Sequence, residues 1–304
     1  MINILKKAGS AKQEEGCVKV EKRKVKIFAD STCDLAPEQI KEYEIQIIPL
    51  CILLDEKSYY DGEELLPDEI YRWADANKKT PKTAAITPEY TQKAIAPFMN
   101  ADEDIIFFGI SEEMSTTCNV MRLAAEEFEK GRVFVIDSEN LSTGIGLQVL
   151  RAAEYAKNGM EAEEIVKRIE EDRGKVRASF VVDTLVYLAR GGRCSGATAL
   201  LASALKLHPC INVINGKMEV GNKYRGSLLK AVMKYAADKE KELLSAREEI
   251  VFITHSGIEE GIIEKVREYL SSLQHFDRIV VTRAGGVISS HCGPGTLGIL
   301  YYLK

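Results

Sequence analysis

The sequence has one tryptophan, four histidines and no two cysteines in C-x-x-C spacing. Its seven cysteines (Cys17, Cys33, Cys51, Cys118, Cys194, Cys210, Cys292) are odd in number and scattered, which suits neither a disulfide framework nor a zinc site, so reduced thiols are expected. His208, His255, His275 and His291 do not stand at ligand spacing on a helix, and no metal site is expected. There is no run of about 18 apolar residues for a membrane span. The opening MINILKKAGS lacks the apolar core and small-residue cleavage site of a secretory signal, which makes the cytoplasm the expected location. Positive charge is also in short supply: 41 Lys and Arg against 46 Asp and Glu leave a net charge of -5. A protein whose main partner is nucleic acid needs the opposite balance.

Several motifs are missing as well. Nothing matches the phosphate loop G-x-x-x-x-G-K-[ST], and Gly144-Ile145-Gly146 is followed by Val149 where a dinucleotide fingerprint requires glycine. Those two glycines are better explained by close helix packing. Ser115 lies in EEMSTT, not in the G-x-S-x-G of a hydrolase, and no histidine is spaced to pair with it.

What is present is a chain of 304 residues, 45% hydrophobic and 29% charged, enough for one large or two ordinary domains. Residues 1–24 carry seven Lys/Arg against three Glu with little apolar periodicity, and read as a flexible basic extension open to partner or transient membrane-surface contact. From Val25 strands alternate with helices. VKIFAD, IQIIPLCILL, DIIFFGI and RVFVID read as strand regions; PEQIKEYE, YTQKAIAPFM, TTCNVMRLAAEEFEK and TGIGLQVLRAAEYAKNG read as helices. That order implies a first α/β domain, residues 25–172, around a largely parallel sheet. The charged helix MEAEEIVKRIEEDRGK closes it. Residues 173–304 mix candidate strands (CINVIN, KMEV, EEIVFITH, RIVVTRA) with helices over 226–244 and 258–273, and Asn215-Gly216 marks a hairpin turn. A second α/β domain with a mixed sheet follows.

Ligands of parallel sheets bind beyond the carboxyl ends of the strands. Those ends are rich in hydroxyls here: Ser31 and Thr32 beside Asp30 and Asp34; Ser111, Ser115, Thr116 and Thr117; Ser138, Ser142 and Thr143 after Asp137. Each could simply cap the next helix. Three such ends in succession point to a site for an anion or carbonyl, and a capped helix start offers N–H groups to one.

Six segments, in order, resemble the DegV family over nearly all of residues 25–304: DSTCDL, PKTAAITP, ISEEMSTT, VIDSENLSTGIG, YLARGGRCS and VISSHCGPGTLG. The resemblance implies a two-domain carrier without catalytic activity or cofactor, its ligand a long-chain fatty acid in a buried tunnel with the carboxylate at the interface between the two domains. It implies that Thr83, Ser115 and His291 hold the carboxylate, with Asp30, Ser31, Thr87, Thr116, Asp137 and Ser138 as supporting candidates. It also implies that Arg193 docks a separate fatty-acid kinase, which phosphorylates the acid to an acyl phosphate for phospholipid synthesis. For Arg193 an ion pair or helix C-cap is the structural alternative, and for His291 a satisfied core histidine. The enzyme alternative is an acyl hydrolase or phosphotransferase using Asp30, Asp137 or Ser115, and a carrier or sensor of another hydrophobic acid is a third reading. Hydroxyls suit a carboxylate, since they donate without forming a charge pair. At about 0.8 kcal/mol per buried CH₂, roughly fourteen methylenes offer at most about 11 kcal/mol before binding costs. Ala84, Ala85 and Ile86 depart from the family's Ser, Gln and Pro, and Thr116 stands where Gly is usual, so the loop after Thr83 is expected to differ in shape.

Overall fold

The computed structural model describes residues 22–201 and 207–304. Cys17, and all of the expected basic extension but residues 22–24, lie outside them. In chain order the first part runs β1 (Val25–Asp30), a 3-10 turn (Ser31–Cys33), α1 (Pro37–Glu42), β2 (Gln46–Ile48), β3 (Cys51–Leu54), β4 (Lys57–Tyr60), α2 (Pro67–Asn77) and β5 (Lys82–Ala84). It continues with α3 (Pro88–Asn100), β6 (Asp104–Gly109), α4 (Thr117–Ala125), β7 (Val133–Asp137), α5 (Thr143–Lys157) and α6 (Ala162–Arg173). Then come β8 (Val176–Val181), α7 (Val186–Gly191), β9 (Cys194–Ser195), α8 (Ala197–Leu201), β10 (Leu207–Ile214), β11 (Lys217–Arg225), α9 (Leu228–Asp238) and α10 (Glu240–Leu243). The chain closes with β12 (Ala246–His255), α11 (Glu260–Ser272), β13 (Ile279–Arg283), α12 (Gly286–Cys292) and β14 (Leu297–Leu303).

The first domain is built on a four-stranded parallel sheet of order β2-β1-β6-β7. Its central strands are apolar on both faces, as strands covered on both sides must be. Phe28, Ile105 and Phe107 point into one cluster with Ile95 of α3 and Met121 of α4. Ile27, Ala29, Ile106 and Phe108, the alternate positions, join the other cluster with Ile145 and Val149 of α5.

The second domain holds a mixed seven-stranded sheet of order β13-β12-β14-β8-β10-β11-β9. The β10–β11 hairpin turns at Asn215 (φ 48°) and Gly216 (φ 78°), as a two-residue turn with both central residues left-handed requires. Helices α9 and α11 cover one face, packing Val232, Tyr235, Ile263 and Val266 on Val251, Ile253, Ile299 and Tyr301. The other face, with Phe180, Phe252, Leu300 and Tyr302, joins the cluster built around α5. Helix α5 therefore lies between the two sheets, and every residue from Thr143 to Leu150 is buried. The absence of an exposed face over those two turns follows from that position; the helix shows polar residues only further on, at Arg151, Glu154 and Lys157. Gly146 is part of the fit: a Cβ there would stand 2.9 Å from the Cys33 carbonyl oxygen and 2.8 Å from Leu35 Cδ2.

One reading of the sequence needs correction. IQIIPLCILL is not one strand but two, in different sheets. β2 pairs with β1, and after Pro49 and Leu50 the chain enters β3, the centre of a three-stranded antiparallel sheet of order β4-β3-β5. Proline cannot donate to a ladder and breaks the run there. This small sheet and α2 pack against α12. Among the described residues Cys33, Cys51, Cys118, Cys210 and Cys292 are free thiols. Among those residues no helix is long and apolar enough to cross a membrane.

Candidate carboxylate site and apolar cavity

Helix α12 contacts α2, β3, β5, α7 and the 3-10 turn, so one face of it meets pieces of both domains. His291 lies in its last turn. Thr83 sits in β5 opposite Ile52 of β3, and Ser115 and Thr116 end the loop from β6 to α4. Arg193 follows α7. Thr83, Ser115, Thr116, Arg193 and His291 all line one cavity of about 440 Å³. Much of the remaining wall is apolar, formed by Leu50, Ile110, Met114, Leu141, Met218, Val287, Ile288 and Cys292. A second cavity of about 20 Å³ shares Leu141, Ile288 and Cys292 with it and is bounded further by Phe180, Leu300, Thr254 and Ser256.

His291 Nε2 is 2.8 Å from Thr83 Oγ1, and Nδ1 is shielded from solvent with no hydrogen-bond partner. Burial first, and the Arg193 charge second, lower its pKa to about 4, so the ring is neutral near pH 7. A buried N–H without a partner costs more than an unused acceptor lone pair. The single ring proton therefore belongs on Nε2, donating to Thr83 Oγ1, and the Thr83 hydroxyl keeps its own proton for a ligand. Gly191, at the end of α7, makes room for the ring: a Cβ on it would lie 2.4 Å from Nδ1. The Ser115 hydroxyl lies 2.8 Å from Thr117 Oγ1, in the first turn of α4. The Ser115 hydroxyl is paired with Thr117 and not with His291, whose partner is the Thr83 hydroxyl.

Two glutamates, Glu112 and Glu113, also line the cavity. They are ion-paired outward, Glu112 to Arg122 at 2.6 Å and Glu113 to Lys217 at 3.4 Å, which offsets their charge at the mouth. Arg193 donates from Nη1 to the Gly191 carbonyl at 2.7 Å and from Nε to the Met114 carbonyl at 3.3 Å. Its side chain thus closes the last turn of α7 behind the C-cap Gly192 and, though exposed, ties that helix to the β6–α4 loop.

The remaining supporting candidates do not line the cavity, and each is engaged elsewhere. Asp30 caps the 3-10 turn through Thr32 and accepts from Ile110 N at 2.7 Å; burial raises its pKa to about 6. Ser31 donates to Asp61 Oδ2 at 2.8 Å. Thr87 is the N-cap of α3, accepting from Tyr90 N. Asp137 accepts from Glu112 N and Glu139 N. Ser138 Oγ is closed in a local turn with Asn140. Of these five, Asp30 and Thr87 cap, Asp137 and Ser138 hold local turns, and Ser31 bridges to Asp61. Sequence reasoning did not find the apolar lining residues or Gly191, whose roles depend on elements that meet only in three dimensions.

The family described as "Uncharacterised protein, DegV family" matches residues 24–304. A DegV domain-containing protein of Deinococcus radiodurans is 33% identical over 277 residues, 90% of this chain and 97% of that protein. Among solved structures, a DegV family protein from Thermus thermophilus, described as binding fatty acid, matches with a TM-score of 0.85 and 30% identity over 92% of this chain and all (100%) of its own. DegV of Bacillus subtilis, described as a fatty acid binding protein, matches at 0.81 and 27% identity over 93% of this chain and 100% of that one.

Proposed function

We propose, since this chain belongs to the DegV family, that it binds one long-chain fatty acid in the cavity, held by its carboxylate at Thr83, Ser115 and His291. The observation that carries the reading is the gathering of those three groups on the wall of one otherwise largely apolar cavity. A buried carboxylate needs donors. The Thr83 and Ser115 hydroxyls donate to it, the neutral His291 ring orients the Thr83 hydroxyl without adding a second buried charge, and Arg193 at the mouth adds positive potential. The acyl chain then runs along Leu50, Ile110 and Met114 towards Ile288, and reaches the second cavity by parting Leu141, Ile288 and Cys292.

In the finer reading the chain is a cytoplasmic carrier that catalyses nothing. It lacks a phosphate loop, so ATP chemistry comes from a separate fatty-acid kinase that meets the carboxylate beside Arg193 and converts it to an acyl phosphate for phospholipid synthesis.

The test begins with protein purified from a bacterial host, denatured, and its extract analysed by mass spectrometry. A near-stoichiometric long-chain fatty acid supports the reading, and Ser115→Ala and Thr83→Val should each lower occupancy several-fold. A protein that is empty and does not bind added palmitic acid overturns it. The kinase step is tested by adding a bacterial fatty-acid kinase and ATP to the loaded protein and measuring acyl phosphate; Arg193→Ala should slow its formation without emptying the cavity.

A further inference from the structure

The helix that carries His291 is too short to seat itself. α12 spans seven residues, and a helix of about two turns has little independent stability. Its first N–H groups have no partner within it. They are met from across the molecule. Gly285 N donates to Asp34 Oδ1 at 2.8 Å, Gly286 N to Asp61 Oδ1 at 2.7 Å, and Val287 N to Asp61 Oδ2 at 3.3 Å.

Asp34 follows the 3-10 turn after β1 and Asp61 follows β4, so 251 and 225 residues of chain separate them from the glycine amides they hold. Each carboxyl group is itself fixed, Asp34 by the Ser142 hydroxyl and Asp61 by the Ser31 hydroxyl. Both aspartates are buried, and neither lines the cavity. Gly286 permits the approach: a Cβ there would lie 2.7 Å from Asp61 Oδ1 and 2.5 Å from Ile52 Cδ1.

We propose that Asp34 and Asp61 are positioning residues for the ligand's carboxylate, acting through α12. Three successive amides held by the side-chain oxygens of two separate aspartates admit one register of the helix. A slip of one residue would turn His291 by about 100° and shift it by about 1.5 Å along the axis, which removes Nε2 from Thr83. The inference rests on the fatty-acid reading of the cavity for its binding assay only.

Two measurements test it. Imidazole ¹⁵N shifts in the ligand-free protein read the ring directly; the wild type should show one neutral tautomer of His291 with the proton on Nε2. Asp61→Ala should give mixed tautomers and a pKa moved back towards the ordinary histidine value. Asp61→Asn, which keeps an acceptor oxygen for Gly286 N, should stay close to wild type. In the second, delipidated protein is titrated with palmitic acid and with 1-hexadecanol, and Asp61→Ala should lose about tenfold in the acid-to-alcohol preference while alcohol affinity holds within about twofold. If Asp61→Ala does not fold, Asp34→Ala serves the same comparison. Unchanged His291 shifts in the alanine variant, or an equal loss for acid and alcohol, overturn the proposal. A wild type that binds neither ligand overturns the fatty-acid reading instead, and the shifts alone then decide this one.

Discussion

Gly191→Ala is the sharpest test of the imidazole's role, because it alters the site without removing any functional group. Gly191 is the last residue of α7 and its φ is not positive, so alanine fits the backbone and should favour the helix by up to about 1 kcal/mol. The new Cβ, however, would lie 2.4 Å from His291 Nδ1 and 3.3 Å from Cε1. The ring has to retreat by about 1 Å, which stretches the 2.8 Å contact with Thr83 beyond hydrogen-bonding distance. The neutral hydrogen bond lost is worth about 0.5–1.5 kcal/mol, and a Thr83 hydroxyl freed to rotate weakens its charged bond to the ligand, worth about 1.5–3 kcal/mol. Together these give a loss of about 1.5–3 kcal/mol, or roughly 10- to 150-fold in affinity. Calorimetric titration of delipidated protein with palmitic acid should show that loss. Titration with 1-hexadecanol should change by less than about twofold, and the thermal midpoint should move by only a few degrees. Wild-type affinity for the acid in Gly191→Ala, with the protein folded, would refute the role given to His291.

Protonation and packing give two more predictions. Burial raises Asp34 to about 8 and Asp30 to about 6, so the folded state keeps protons that the unfolded chain has released. Their contribution is complete below the ordinary carboxylate pKa and is lost as pH rises through about 6 and then about 8. Denaturant unfolding at a series of pH values should show stability falling between neutrality and pH 8, and Asp34→Asn should flatten that limb; an identical slope in the variant contradicts the assignment. His255 and His291, both lowered to about 4 by burial, act in the opposite sense, with stability complete above the ordinary histidine pKa and lost as pH falls towards 4. Gly146→Ala should cost about 1–3 kcal/mol by forcing α5 off the 3-10 turn, whereas Gly261→Ala, on α11 with nothing within 4 Å of the new Cβ, should stabilise. Chemical denaturation distinguishes the two, and equal effects would refute the packing argument.

Much of the fold was legible because its strands and helices announce themselves separately. VKIFAD and DIIFFGI are continuous apolar runs, as buried parallel strands are, and Asn215-Gly216 marked its hairpin. The small sheet was not legible, since the step from β2 to β3 is taken within one apolar run and only Pro49 marks it. α12 and β14 also escaped periodicity: one is seven residues long, and the other is buried on both faces and so does not alternate. Thr83, Ser115 and His291 were found through the family motifs, and the structure brings them to one cavity. Asp30, Thr87, Asp137 and Ser138 sit in segments of the same kind, yet serve as caps and turns. A hydroxyl that caps and one that lines a cavity look alike in sequence; which neighbour it meets is decided by elements far away in the chain.

The placing of α5 between the two sheets bears on how a ligand enters and leaves. Two domains joined by a small polar contact can swing about a hinge, but here one helix is core to both, and parting the sheets would expose its buried stretch from Thr143 to Leu150 to water. Exchange by a clamshell motion is thereby closed off. The gate must be the rim: the β6–α4 loop, the residues after Thr83 and the tip of the β10–β11 hairpin, whose Lys217 reaches Glu113 at 3.4 Å. Release kinetics of a bound fatty acid should then follow the local loosening of those loops, with the rest of the molecule rigid.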